Sequence, residues 1–153
     1  MADFVFNQAK GKAAEWAARV EANDPANAVF VIEAINTSAT DATLRDLDTF
    51  ALIESDANTA EVTNGGYARK SLANGTLTIT IDDGADRTDV DCADQTWTAI
   101  AAGTAWTDLV FGYDSDSTGG TDSNVIPVTL HDFAITPDGS DITATIAVFY
   151  RAS

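Results

Sequence analysis

Residues 76–82 alternate between threonine and apolar side chains and end in aspartate. A period of two places successive side chains on opposite faces, which is typical of a half-buried antiparallel β-strand. The preceding Asn74-Gly75 dipeptide favours a two-residue type I′ turn, because that turn needs positive φ at both central positions. The pattern therefore predicts a hairpin that joins residues 67–72 to residues 76–82.

Other segments carry similar strand signals. Residues 28–34 are apolar except for Glu33, which predicts a strand buried on both faces. Pro127 places its strand at a sheet edge or marks a strand start, and Pro137-Asp138-Gly139 predicts the turn of a last hairpin. The remaining strands are predicted at residues 88–100, with or without an interruption, and at 106–113, 125–135 and 141–150.

The N-terminal residues show helical spacing instead. Asn7 is a candidate N-cap, and apolar residues recur at three- and four-residue intervals up to a predicted helix end near Asn23. Residues 41–54 predict a second, short helix, with a loop that contains one helical turn as the alternative.

These elements predict an α+β, mainly β fold class. The architecture expected is an antiparallel β-sandwich or partly open barrel, with an N-terminal amphipathic helix and one short second helix. A chain of 153 residues is expected to form a single domain. Its two parts would be a helical segment at residues 1–23 and a β-rich body at residues 28–153.

The charge of the chain is strongly negative, at a formal −16. Between positions 82 and 141 there are thirteen aspartates, a single arginine, and no lysine or glutamate. Such acidity disfavours nucleic acid as a partner, because lysine and arginine contacts to phosphate supply most nucleic-acid affinity. No run approaches the roughly 20 apolar residues of a membrane span, and the first residues lack the pattern of a secretion signal.

One acidic loop resembles a calcium-binding sequence. Asp114, Asp116 and Asp122 occupy positions 1, 3 and 9 of such a loop, with Gly119 at position 6. Position 12, where an EF-hand has a bidentate glutamate, is Val125, so a flexible acidic turn is the alternative. A second acidic cluster at residues 82–91 is a weaker candidate of the same kind. No other cofactor is predicted.

Catalytic motifs are not evident, and we expect no enzymatic activity. His131 is the single histidine, and a Ser-His-Asp arrangement would need it, yet it lies within a predicted strand and no Gly-x-Ser-x-Gly motif is present. Trp97 and Trp106 could stack on sugars in a carbohydrate-binding module, although core packing is the preferred interpretation for at least one of them. Cys92, the single cysteine, is expected to be a small buried apolar residue.

Several short motifs together resemble a family of small structural proteins of tailed bacteriophages, of the type found in actinobacteriophages. The motifs are Phe4-Val-Phe-Asn-Gln-Ala-Lys-Gly-Lys12, Asn23-Asp-Pro-Ala-Asn-Ala28, Gly66-Tyr-Ala-Arg-Lys70, Asp89-Val-Asp91, Gln95-Thr-Trp-Thr98, Tyr113-Asp114, Ile126-Pro127 and His131-Asp-Phe133. The resemblance implies a virion protein made in the host cytoplasm. It favours a head decoration or accessory protein on the major capsid protein lattice, with a tail or tail-tip component as the alternative. It also implies a homo-oligomer, with a trimer as the form expected.

The surface that would contact the capsid is predicted from the cations. The near-neutral N-terminal region and the hairpin after residue 66 hold five of the eight lysines and arginines, so an acidic lattice would repel them least. The docking residues predicted are Lys10, Lys12, Trp16, Arg19, Tyr67, Arg69 and Lys70.

Overall fold

A six-stranded antiparallel sheet forms the centre of the computed structural model, which describes residues 2–153. The strand order is β1-β9-β8-β2-β3, and β4 also pairs with β2. The strands of the chain are β1 (Phe4–Val5), β2 (Val29–Thr37), β3 (Thr59–Glu61), β4 (Lys70–Leu72), β5 (Leu77–Asp82), β6 (Arg87–Cys92), β7 (Gln95–Trp97), β8 (Trp106–Asp114), β9 (Ile126–Ile135), β10 (Ile142–Ala144) and β11 (Tyr150–Ala152). The helices are a 3-10 turn (Asn7–Ala9), α1 (Ala13–Ala22), α2 (Asp41–Arg45) and α3 (Phe50–Ser55).

Strand β2 organises the central sheet. It pairs with β8 from Val29↔Asp114 to Ile35↔Asp108 on one side. On the other side it pairs first with β4 and then with β3, with a gap between them at Glu33 and Ala34. Its burial on both faces confirms the prediction made from its apolar sequence.

One face of the central sheet is covered by β-structure and α1. A three-stranded sheet, β11-β6-β5, and a two-stranded sheet, β10-β7, supply this second layer. Buried side chains of both layers and of α1 form one large hydrophobic cluster, which includes Trp16, Phe30, Leu77, Val90, Trp97, Trp106, Phe111 and Tyr150. This layered arrangement confirms the prediction of a mainly β, sandwich-like α+β fold.

The opposite face is covered by the N-terminal residues and by α2 and α3. A second hydrophobic cluster forms there, in which Phe4, Phe6, Leu44, Phe50 and Ile53 pack against residues of the sheet. The predicted second helix is in fact two short helices. Thr40 caps α2 and Thr49 caps α3, each by accepting a hydrogen bond from a backbone N–H three residues later.

The first helix starts later than predicted. Asn7 lies in the 3-10 turn and not at the N-cap of a helix, and α1 begins only at Ala13. Gly11, with φ of 78°, separates the two. The end of α1 agrees with the prediction, because Asn23 adopts the left-handed conformation that terminates helices. None of the helices within residues 2–153 is long and apolar enough to span a bilayer.

The Asn74-Gly75 turn does not close a β-hairpin. It connects β4, which pairs with β2, to β5, which pairs with β6 in another sheet. Likewise, the turn at Pro137 leads from β9 to β10, and β10 pairs with β7. A turn does form at Asn74-Gly75, where the Thr76 N–H donates to the Ala73 carbonyl at 3.1 Å, but of the two central residues only Gly75 has positive φ, so the turn is not the predicted type I′.

The remaining strand predictions are largely confirmed. Residues 88–100 are interrupted, as β6 and β7, and Pro127 lies at the start of β9. It lies beside a register shift in the pairing with β8 and not at a sheet edge. The last predicted strand is two short strands, β10 and β11, because residues 145–149 leave the sheet between them.

Gly112 permits the closest approach between α3 and the sheet. A Cβ at this position would lie 2.4 Å from Phe50 Cε1 and 2.8 Å from Val125 Cγ1. We expect Gly112→Ala to lower the free energy of unfolding by about 1–3 kcal/mol, since overpacked cores force their neighbours to move. Urea denaturation measures this effect, with Gly84→Ala as the control because a Cβ there meets only an aspartate oxygen at 3.4 Å. Equal stability of the two variants would contradict the prediction.

Candidate functional site

Arg69 lies at the centre of four carboxylates contributed by four different segments. Its Nε is 2.7 Å from Glu61 Oε1 at the end of β3, and its Nη2 is 2.8 Å from Glu61 Oε2. Nη2 also contacts Glu54 of α3 and Nη1 contacts Asp122 of the loop before β9. Glu33 of β2 completes the group, with Oε2 at 3.5 Å from Nη2. We call these five residues the Arg69 cluster.

Glu33 is the most unusual member of the Arg69 cluster. Its side chain is fully buried, and neither carboxylate oxygen has a hydrogen-bond partner within residues 2–153. Burial raises the pKa of Glu33 to about 9, although the nearby Arg69 charge acts in the opposite direction. Burial also raises the pKa of Glu54. Burial therefore favours the neutral form of Glu33, and a neutral Glu33 reduces the excess of negative charge around Arg69.

Tyr67 links the Arg69 cluster to the gap in the edge of β2. Its hydroxyl accepts a hydrogen bond from the Ala34 N–H at 2.9 Å and donates one to Glu61 Oε1 at 3.0 Å. Two tryptophans hold the same loop, because Trp97 Nε1 donates to the Ala68 carbonyl and Trp106 Nε1 donates to Asn64. The residues between β3 and β4 are thus fixed against the sheet.

Three glutamates of the Arg69 cluster lie close enough together to be considered as metal ligands. Glu33, Glu54 and Glu61 each offer an oxygen within 4.8 Å of the others, the one group of this kind among residues 2–153. The Nη2 atom of Arg69 contacts all three of these glutamates. The guanidinium therefore already occupies the position between them, and the cluster is an internal ion-pair network that joins α3, β2, β3 and two loops.

The three aspartates of the predicted calcium loop make separate contacts and do not surround one point. Asp114 is buried and accepts from the Asp116 N–H, and Asp116 accepts from Thr118. Asp122 pairs with Arg69, and the three carboxylates do not gather within 4.8 Å. Arg69 competes for the third proposed ligand, so calcium binding at this loop stays a prediction that rests on Asp114 and Asp116.

Two members of the second acidic cluster, Asp82 and Asp89, contact arginines. Asp89 Oδ1 lies 2.6 Å from Arg151 Nε, and Asp89 Oδ2 lies 3.3 Å from Arg87 Nε. The pKa of Asp89 is lowered, chiefly by its hydrogen bond from Arg151. The contact with Arg151 ties β6 to β11.

The predicted docking residues fall into two groups. Lys10, Lys12 and Arg19 are exposed around α1, and Lys12 and Arg19 line a shallow groove beside that helix. Trp16 is buried in the floor of the groove, where its ring stacks on Tyr113 at 5.2 Å. The structure thus brings together four of the seven predicted residues.

The other three predicted docking residues do not form an exposed hairpin, so the predicted hairpin is wrong, while docking through these residues stays a prediction. The Tyr67 hydroxyl and the Arg69 guanidinium are committed to the Arg69 cluster. Lys70 Nζ donates to the Thr96 carbonyl at 2.7 Å and lies over the Trp97 ring. The loop is held against the sheet by its polar side chains. Tyr67 bonds to the Ala34 N–H and to Glu61, and Arg69 pairs with the carboxylates of the Arg69 cluster.

His131 lies in an arrangement that sequence reasoning missed. Its Nδ1 is 3.1 Å from Asp3 Oδ2, and its Nε2 is 3.0 Å from Thr129 Oγ1. The order hydroxyl, imidazole, carboxylate resembles a catalytic triad. Nε2 also lies 3.1 Å from the Phe149 carbonyl, which can only accept a hydrogen bond, and Thr129 is 2% exposed. The geometry therefore suits a structural histidine that links β9 to residues 145–149.

A carboxylate pair lies on the same sheet. Asp108 and Asp132 are opposite each other on β8 and β9 and line one shallow groove. Burial raises the pKa of Asp108 to about 6, with Asp132 acting in the same direction. The Asp108 side chain is almost wholly enclosed, so a substrate in the groove would meet little of it.

Aromatic side chains lie mainly in the core. The three tryptophans are 9%, 2% and 0% exposed at positions 16, 97 and 106, which confirms core packing for Trp97 and Trp106. Comparisons of the chain with protein-family models, with curated proteins and with solved structures give no match.

Proposed function

We propose that this chain is a non-enzymatic structural protein of a tailed-phage virion. In this proposal it is a head decoration or accessory protein that docks on the major capsid protein lattice and stabilises the head. Two observations support the proposal. One is the motif resemblance, and the other is that two lysines near α1 have no carboxylate partner within residues 2–153. The motif residues that are buried, such as Phe6 and Trp97, have structural positions, as expected of a family without catalytic residues.

The observation that carries the proposal is the free charge beside α1. Lys10 Nζ donates to Asn7, and Lys12 lies over the Trp16 ring at 5.9 Å. Neither ammonium group pairs with a carboxylate within residues 2–153. Arg69, Arg87 and Arg151, by contrast, are all neutralised by aspartate or glutamate. Arg45 and Lys70 also lack a carboxylate partner within residues 2–153, but they are partly buried over the Phe4 and Trp97 rings. In a chain of net charge −16, two unneutralised lysines next to a groove favour an acidic partner.

The acidic surface would keep such a protein soluble before it docks. Most of the aspartates between positions 82 and 141 lie at turns and sheet rims, and those that are exposed are Asp83, Asp86, Asp94, Asp116, Asp132, Asp138 and Asp141. A high net charge keeps a protein soluble and keeps unassembled copies apart. Docking would then use the limited region where the repulsion is weakest.

Neutralising the N-terminal cations tests the proposal. We expect the double variant Lys10→Gln, Lys12→Gln to bind capsids that lack this protein about fivefold more weakly, since each exposed ion pair contributes about 0.2–1 kcal/mol. The affinity should also fall as salt is added. Point substitutions are preferred to deletion of residues 1–22, because α1 buries Ala13, Ala17 and Val20 in the core.

The matched control removes the same charge elsewhere. Arg87→Gln with Arg151→Gln changes the net charge equally but affects cations that already pair with Asp89. We expect this control to bind capsids like the wild type. Unchanged binding of the lysine variant, or an equal loss in the control, would contradict docking through the α1 region.

The alternatives make different predictions. A tail or tail-tip component would bind tail proteins and leave capsids unoccupied in the same assay. A carbohydrate-binding module would need exposed aromatic platforms, and the burial of all three tryptophans removes the feature on which that alternative depended.

A further inference from the structure

Asp108 and Asp132 bring two carboxyl groups together at one end of the central sheet. They lie directly opposite each other on β8 and β9. Val110 and Leu130, two residues away on the same strands, belong to the second hydrophobic cluster. Side chains two residues apart on a strand share a face, so both carboxyl groups lie on the side of the sheet that carries this cluster. Directly opposite residues have Cβ atoms about 4.5–5.5 Å apart, where like charges repel.

Asp108 is buried without a hydrogen-bond donor for one of its oxygens. The residue is 1% exposed, and its Oδ2 atom accepts no hydrogen bond within residues 2–153. No other aspartate in this part of the chain has such an oxygen. Glu33 is the one glutamate that does, and it has the Arg69 guanidinium at 3.5 Å. A bound ion is one of the usual reasons for a buried polar atom without a protein partner.

The pair needs a positive charge once its proton is lost. Burial raises the pKa of Asp108 to about 6, and Asp132 acts in the same direction. Above this pKa two ionised carboxylates face each other, and the enclosed one is poorly stabilised by water. A cation held by both carboxylates would compensate both charges.

We propose that Asp108 and Asp132 bind a hard divalent cation, calcium or magnesium. The groove that both aspartates line is also lined by the hydroxyl-bearing residues Thr37, Ser38 and Thr107. Carboxylates and hydroxyls supply the oxygen ligands that these two metals prefer. Magnesium in particular is bound through one or two carboxylates, with waters at its other positions, and Asp132 is exposed enough to admit them. The net charge of −16 also concentrates cations near the chain.

Calorimetric titration of the chelator-treated chain tests the site, with calcium chloride and magnesium chloride used separately at a pH well above the Asp108 pKa. We expect one saturable site, with a dissociation constant of about 10⁻⁴–10⁻³ M for calcium, the weak end of the range for calcium sites. Asp108→Asn and Asp132→Asn should each abolish the saturable heat. Asp83→Asn is the matched control, because it removes one exposed aspartate charge at a turn, and it should bind like the wild type.

Manganese locates the site within the fold. Mn²⁺ takes carboxylate, carbonyl and water ligands as calcium and magnesium do, and it broadens the NMR signals of nearby amides. We expect the amide signals of Ser38, Asp108 and Asp132 to broaden first as manganese is added. Excess calcium or magnesium should reverse the broadening, and it should be absent from Asp132→Asn.

Three results would overturn the proposal. They are the absence of a saturable site for both metals, saturable binding that persists in Asp132→Asn, and broadening centred on the acidic residues 82–91 or 114–122. Asp132 is exposed, so its variant decides the question even where Asp108→Asn does not fold. The purified chain is sufficient for these measurements, so their result is independent of the proposed capsid docking.

Discussion

Replacing Arg69 with methionine is expected to lower the free energy of unfolding by about 3–5 kcal/mol. Hydrogen bonds to charged groups contribute about 1.5–3 kcal/mol each, and Arg69 makes such bonds to three partly buried carboxylates. Here the loss would expose Glu61, Glu54 and Asp122 to their mutual repulsion and would leave fully buried Glu33 beside them. Urea denaturation at neutral pH measures the change.

Two further variants make the Arg69 result specific. Arg69→Lys keeps the charge but loses the planar fork, so it should recover only part of the stability. Arg19→Met removes an exposed arginine that pairs with Glu15 on the surface of α1. That control should leave the free energy of unfolding close to that of the wild type. An Arg69→Met variant as stable as Arg19→Met would show that the Arg69 cluster does not hold these segments together.

The second large effect concerns the pH dependence of stability. The pKa of Glu33 is about 9 in the folded chain against an ordinary value of 4.5. Between these values the folded chain holds a proton that the unfolded chain has lost. The stabilisation from this proton is full below the lower pKa, and it is lost as pH rises through the higher one. The slope is about 1.4 kcal/mol per pH unit.

Glu33→Gln isolates this contribution, because the amide has nearly the same shape and does not titrate. Relative to the wild type, the variant should gain about 3 kcal/mol in free energy of unfolding between roughly pH 6 and pH 8. All other titratable groups are the same in both chains, so their contributions to the pH dependence largely cancel in this difference. Glu15→Gln, at an exposed position, should follow the wild-type profile. Parallel profiles for Glu33→Gln and the wild type would mean that Glu33 is ionised when folded.

Local patterns in the sequence were sufficient for the fold class. The apolar run around Glu33 and the alternation in β5 both correspond to strands, and the apolar spacing before Asn23 corresponds to α1. Strand partners could not be read in the same way. The Asn74-Gly75 turn is local chemistry, whereas the choice of β2 as the partner of β4 depends on which faces are buried in the assembled sheet.

The Arg69 cluster was not predictable for a related reason. Its carboxylates come from positions 33, 54, 61 and 122, and no spacing in the sequence connects them. The one available signal was a single glutamate inside an apolar strand, which had to have a partner. Asp3 and His131 are similar, since 128 positions separate two residues that meet only when β1 pairs with β9.

The proposal of capsid docking through the α1 region is tested most directly by electron cryo-microscopy of virions of a phage whose genome carries this sequence. We expect density for the fold on the outer surface of the head, with Lys10, Lys12 and the groove beside α1 against the major capsid protein. The same density on the tail, or a capsid contact through a surface that lacks these residues, would contradict the proposal.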